Sequence, residues 1–230
     1  MLRNAIVLLL LIVPSSLLAE RPYTGRVISE YVDSVETPEG LYIGPIEDRG
    51  SFVVVSDKYV LTNWHVVAGY LFHEQLGEPV KMTLHFSKGK PKTGTVVATD
   101  STNDLALVGF EGGLSKGLHR IGIAEEFDPK VLVLAGYQEG ELSKYAEETA
   151  RSFELVGPSY FTIPVKAIDG QSGSPIINGR GQLCGLLWGS DYPTEELAYG
   201  VKVDRIREFL EEEAPDVLKQ KGNFLKRFKK

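Results

Sequence analysis

The sequence predicts an all-β protein of the sandwich or barrel kind. Short apolar runs rich in Val, Ile, Thr, Tyr and Phe recur along the chain, and Gly, Pro, Asp, Asn or Ser bounds each of them. Only one segment has clear helical periodicity. In order, the runs are TGRVIS, SFVVVS, YVLTNW, KMTLHF, TGTVVAT, LALVGF, KVLVLAGY, YFTIPV, SPIIN, QLCGLLW and AYGVKV. The helix is DRIREFLEEE, with Asp204 as its N-cap and Ile206, Phe209 and Leu210 on one face. The Gly-rich stretch at 109–117, GFEGGLSKG, is the best seam between two groups of strands. With 230 residues, 43% of them hydrophobic, the chain can bury one large core or two small ones.

Both ends differ from this body. Residues 1–19 carry one charge, Arg3, then an apolar stretch from Ala5 to Val13, a Pro-Ser-Ser break and Ala19, the layout of a cleaved export signal. A membrane anchor needs about 20 apolar residues, and Pro14 to Ser16 interrupt this run early. The expectation is an exported protein, periplasmic or secreted. At the other end, Lys219, Lys221, Lys226, Arg227, Lys229 and Lys230 form a basic tail around Phe224, Leu225 and Phe228. This tail suits weak contact with an anionic membrane surface, contact with the acidic body, or a solvated terminus. The whole chain has a formal charge of −6, so the body is acidic, which argues against nucleic acid as a partner. Cys184 is the only cysteine; in QLCGLLWG it reads as a buried strand residue and can form no internal bridge.

Four histidines, His65, His73, His85 and His119, all precede the turn sequence DGQSGSPIIN at 169–178. An α/β-hydrolase needs its histidine after the serine, and GQSGS puts Ser174 where the second glycine of its nucleophile elbow belongs. His73 begins HEQLG, which lacks the second histidine of the zinc motif, and His85 and His119 read as strand and loop residues. No metal or other cofactor is expected. His65 is different, because in YVLTNWHVVAG it stands where the chain leaves an alternating strand, held on one side and open on the other. Asp104 opens the apolar run LALV, where a carboxylate is costly unless it is paired, and holding an imidazole Nδ1–H would satisfy it. Asp100, the competing carboxylate, lies among polar loop residues and suits a turn.

Together, SFVVVSDKYVLTNWHVVAG, DSTNDLALV, DGQSGSPIIN, GQLCGLLWG and YGVKVDRIREFL resemble the trypsin-like serine proteases. The likeness is to their bacterial, disulfide-free branch, typified by the HtrA proteases, and runs from about residue 50 to residue 210. It implies two antiparallel six-stranded β-barrels with a C-terminal α-helix. The chain would divide into a leader at 1–19, an N-terminal segment and first barrel at 20–112, a second barrel at 113–203, a helix at 204–218 and the tail at 219–230. It implies His65 as general base, Asp104 as its orienting acid and Ser172 as nucleophile, with the N–H groups of Gly170 and Ser172 as oxyanion hole. Leu187, Trp188 and Gly189 would supply the edge on which a polypeptide substrate lies, and Lys166 would sit near the base of the primary pocket and favour an acidic residue.

Departures from the family pattern are informative. Gln171 stands where animal trypsins carry the acid that receives a newly cut N-terminus, so activation of that kind is not expected. HtrA proteins usually add a PDZ domain after the protease, and this chain ends too soon for one. The SGSP variant also resembles glutamyl endopeptidases, but their threonine five residues before the serine is Ala167. The leading expectation is an exported serine endopeptidase that works through an acyl-enzyme. A catalytically inactive peptide-binding member of the fold is the second.

Overall fold

The computed structural model describes residues 21–219 except 39, 128, 139–143, 192 and 195. Residues 1–19, which the sequence suggests are an export leader, and all but the first residue of the basic tail lie outside the described residues. The first six strands are β1 (Thr24–Thr37), β2 (Gly40–Val54), β3 (Tyr59–Thr62), β4 (Lys81–Phe86), β5 (Lys92–Asp100) and β6 (Leu105–Phe110). They close into an antiparallel barrel in the order β1-β2-β3-β6-β5-β4. Alternation decides what fills it: Val27, Phe52, Leu61, Leu84 and Leu107 turn inward and are fully buried. β6 lies between β3 and β5, so its run LALV is buried on both faces.

The second sheet is built from β7 (Gly122–Ile123), β8 (Leu132–Gln138), β9 (Lys144–Ala150), β10 (Glu154–Val156), β11 (Tyr160–Ile163), β12 (Pro175–Asn178), β13 (Gln182–Ser190) and β14 (Ala198–Lys202). It has eight strands rather than six, in the order β10-β11-β14-β13-β12-β8-β9, and β7 pairs in parallel with β13. Phe161, Leu134, Ile163, Ile176 and Leu187 form its core, with Cys184 buried among them.

Helices depart most from expectation. His65 does not merely end a strand; it opens α1 (His65–Gln75), between β3 and β4. HVVAGYLFHEQ hides this helix because Phe72 is exposed while His73 is buried, so no clean apolar stripe marks it. At the C-terminus, α2 (Val203–Glu213) uses Lys202 as its N-cap, and Asp204 sits inside the first turn, where its charge still suits the helix dipole. Ile206, Phe209 and Leu210 are buried, as their spacing indicates. Ala214 breaks the helix before Pro215, and a short α3 (Pro215–Lys219) follows.

A polar clamp ties the N-terminal segment to the second sheet. Arg21 donates to both carboxylate oxygens of Glu147 on β9, at 2.6 and 3.0 Å, and Tyr145 donates to the same group at 2.5 Å. Beside them Tyr23 is 3% exposed, and burial pushes its hydroxyl pKa up to about 12 against the opposing pull of Arg21. The unfolded phenol titrates near about 10, so the stability this group contributes is intact below that pH and is lost as pH rises through the folded value. A two-unit shift is worth roughly 2–3 kcal/mol. Urea unfolding from roughly pH 9 to pH 12 should therefore show a steeper loss for the native chain than for Tyr23→Phe; parallel curves would remove Tyr23 from the account.

Candidate active site

The buried strand β3 ends at Thr62, and Asn63 donates through its side-chain amide to the Asp104 carbonyl at 2.9 Å. That contact carries the chain to His65 at the open N-terminus of α1. Trp64, at the N-cap, offers no side-chain cap. Asp104 takes over that role from 39 residues away: its Oδ1 accepts the His65 backbone N–H at 2.9 Å. Its Oδ2 lies 2.7 Å from His65 Nδ1. A single carboxylate thus caps the helix and orients the ring. With Nδ1–H donating to Asp104, Nε2 is the nitrogen left to act as base.

Asp104 sits at φ +53° in the left-handed region, which aspartate tolerates better than most residues. The loop before it is held by Asp100, whose Oδ1 accepts the N–H groups of Thr102 and Asn103, both at 3.0 Å. Asp100, the last residue of β5, holds this turn, and among the described residues its carboxylate makes no hydrogen bond to His65. Across the cleft, Tyr160 donates its hydroxyl to the Thr102 carbonyl at 3.0 Å. Burial, aided by the charges of Asp104 and Asp100, raises the pKa of that hydroxyl and keeps it a donor.

Ser172 lies on a tight turn between two left-handed glycines, Gly170 at φ +84° and Gly173 at φ +85°. Its neighbouring amides are occupied. The N–H of Gln171 donates to the Ile168 carbonyl at 3.2 Å, that of Gly173 to Leu187 at 2.9 Å and that of Ser174 to Gln171 at 2.8 Å. The amides of Gly170 and Ser172 donate to no backbone acceptor among the described residues. Two free donors two residues apart are what an oxyanion requires, each worth about 3 kcal/mol of transition-state stabilisation. The buried Gln171 side chain accepts the Ile168 N–H at 3.0 Å, closing the turn from inside. Among the described residues the Ser172 hydroxyl makes no hydrogen bond to His65.

Ser51 secures this turn from behind, a role with no sequence signal beyond opening SFVVVS. Its N–H donates to the Ser172 carbonyl at 2.7 Å. Its hydroxyl donates to the Gly170 carbonyl and accepts the Tyr137 N–H, each at 3.0 Å. Thr62 in turn donates to the Ser51 carbonyl at 2.7 Å. A buried serine of the first barrel therefore fixes both peptide groups that flank the candidate oxyanion donors.

A pocket of about 200 Å³ opens beside Ser172 and Gly170. Ala167, Ile168, Asp169, Leu187, Gly189 and Ser190 line it, together with Arg49 of β2. Lys166 is not among the lining residues. Trp188 is also outside the lining, packed between the rings of Tyr160 and Tyr199 at 5.7 and 5.6 Å. β12 pairs with β13 as far as Leu186, and the Ser172 turn itself takes Leu187, whose N–H donates to the Ser174 carbonyl at 2.9 Å; on that side only Trp188 to Ser190 have no backbone partner among the described residues.

A family model for a trypsin-like peptidase domain matches residues 50–186. Among curated proteins, the glutamyl endopeptidase of Staphylococcus epidermidis is 23% identical over 187 residues, covering 73% of this chain and 63% of its own length. The chain thus spans less than two thirds of that relative. Among solved structures, the HtrA-type protease AlgW with decapeptide aligns with a TM-score of 0.62 at 15% identity, over 84% of this chain and 66% of the other. The Rv3671c protease from M. tuberculosis in its active form also aligns with a TM-score of 0.62, at 22% identity, over 87% of this chain and 84% of its own. These structural likenesses speak for the fold, and the family model covers more than half of the sequence. The chain belongs to the trypsin-like peptidase family.

Proposed function

We propose that the chain is an exported serine endopeptidase. Ser172 Oγ attacks the scissile carbonyl and gives its proton to His65 Nε2, while Asp104 stabilises the resulting imidazolium. The N–H groups of Gly170 and Ser172 receive the oxyanion. His65 then protonates the leaving amine, the C–N bond breaks, and an acyl-enzyme remains on Ser172. Water enters, loses a proton to His65 and attacks the acyl carbon, and Ser172 departs with that proton. Every step uses this chain's own side chains and amides. The observation that carries the reading is the double engagement of His65 by Asp104, at 2.9 and 2.7 Å, which sets the tautomer a base needs. The composition of residues 1–19 supports export. The decapeptide bound by the structurally similar AlgW supports peptides as substrates.

A second reading, a peptide-binding protein without turnover, is favoured by the missing hydrogen bond between Ser172 and His65. Catalytic hydrogen bonds often close only when substrate arrives, so the first reading stands ahead of it. Cleavage of an unfolded protein such as casein separates the two. The mature chain should cleave it, and Ser172→Ala should lose about six orders of magnitude in kcat, the size measured when such a nucleophile is removed. A native chain that binds peptides as tightly as Ser172→Ala and cleaves none establishes the second reading.

A further inference from the structure

The hairpin of β1 and β2 outruns the barrel in which it starts. β1 pairs with β4 only as far as Glu30, yet it pairs with β2 all the way to Thr37 and Gly40. Beyond Glu30 the two strands form a ribbon with no third strand beside it among the described residues. Paired residues of an antiparallel ladder share a face, and alternate residues along a strand point to opposite faces. The register joins Ile28 to Arg49, Glu30 to Glu47, Val32 to Pro45, Ser34 to Ile43 and Glu36 to Leu41. Arg49, Glu47, Pro45, Ile43 and Leu41 therefore share one face of β2.

That face looks outward. Val32 is 50% exposed, Ile43 68% and Leu41 63%, with Pro45 exposed between them. The opposite face is engaged at its inner end, where Tyr31 stacks on His73 of α1 at 4.6 Å, while Tyr42 nearer the tip is 48% exposed. An exposed apolar stripe on a two-stranded ribbon is a liability to a folded protein unless something uses it.

Its inner end shows what uses it. Arg49, the first residue of the stripe, lines the same pocket as Ser172, Leu187 and Gly189. Arg49 is tied to Glu47, the next residue along the same face, by bonds of 3.0 and 2.5 Å, and this pair bridges the pocket to the apolar part. Arg49 thus belongs both to the pocket beside Ser172 and to the stripe, so a polypeptide that extends from the pocket past Arg49 meets the apolar face. From Arg49 to Leu41 the strand rises roughly 26 Å, about eight residues of extended chain.

We propose that the outward face of the ribbon, Val32, Leu41, Ile43 and Pro45, is a docking surface for apolar residues of a polypeptide substrate lying several positions C-terminal to the scissile bond. The proposal rests on the endopeptidase reading. It takes unfolded or loosely folded chains as partners, since only an extended segment can follow a ribbon away from a pocket.

Two fluorogenic peptides with identical residues up to the scissile bond test it. One stops shortly after that bond, and the other continues along the length of the ribbon with Leu, Val and Phe. The long peptide should exceed the short one in kcat/KM by about tenfold, from burying two or three apolar side chains. That ratio should fall towards one in the double variant Leu41→Ser, Ile43→Ser, and hold in Tyr42→Ser on the other face. A native ratio of one, or a ratio the double variant leaves unchanged, overturns the proposal. Anisotropy with the same peptides on Ser172→Ala reads docking without turnover. If the long peptide binds there and loses affinity in the ribbon variant, while the native chain cleaves neither peptide, the endopeptidase reading fails and the surface stands. Sedimentation of the native chain covers a different occupant. A dimer abolished by the ribbon substitutions, with the peptide ratio unmoved, assigns the stripe to a second copy and overturns the proposal.

Discussion

Asp104→Asn should lower kcat by about four orders of magnitude, the loss that accompanies the wrong histidine tautomer in such triads, with little change in stability. The geometry gives the reason. Oδ1 of Asp104 accepts the backbone N–H of His65, and a helix N-terminus will not exchange that acceptor for a donor. In the asparagine variant the amide oxygen must take this place, which leaves the amide nitrogen facing His65 Nδ1, where Oδ2 now stands. The ring then has to accept at Nδ1 and carry its proton on Nε2, the nitrogen that should receive the Ser172 proton. Asparagine tolerates the left-handed backbone of position 104, with its φ of +53°, at least as well as aspartate, so the fold survives. Steady-state hydrolysis together with thermal unfolding checks both halves. Near-normal turnover in this variant would mean that Asp104 does not set the tautomer.

Gly173→Ala should destabilise the protein by about 3 kcal/mol or more, through left-handed strain plus overpacking, and abolish turnover in whatever fraction folds. A Cβ at position 173 would fall 2.1 Å from the Ser51 carbonyl oxygen and 2.5 Å from Thr62 Oγ1, in a backbone at φ +85°. Neither neighbour is a loose side-chain end: Thr62 donates to that same carbonyl, and the Ser51 N–H holds the Ser172 carbonyl. The displacement is therefore handed to the Ser172 peptide. Gly179→Ala is the control, because its Cβ would meet nothing within 4 Å, and it should be close to neutral. Urea midpoints of the two variants make the comparison; equal midpoints would show that the turn has room the geometry denies.

The candidate catalytic residues were legible in the sequence for a physical reason. His65, Asp104 and Ser172 each stand at a junction where a buried strand meets polar turn residues, and Asp104 before LALV demanded a partner. What the sequence hid depends on groups that meet across the fold. α1 has no local cap to announce it, because its cap arrives from Asp104. Ser51 looks like any residue opening a strand until the register sets its hydroxyl between Gly170 and Tyr137. The ribbon was equally hidden. EYVDSVET and LYIGPIED mix acids and a proline with β-formers, so propensity gives a weak signal, and the apolar stripe emerges only when pairing puts Val32 opposite Pro45. The second sheet's extra strands include β9, KYAEETA, whose polar composition argues for a loop while its pairing with β8 makes it a strand.

The central claim is that Ser172 is a nucleophile activated by His65. Treatment of the protein with a fluorophosphonate, followed by peptide mapping of the adduct, is the decisive measurement. One adduct is expected, on the Ser172 hydroxyl, formed by the native chain and lost in His65→Ala. An adduct on another residue, no adduct on the native chain, or undiminished labelling of Ser172 without His65 would contradict it.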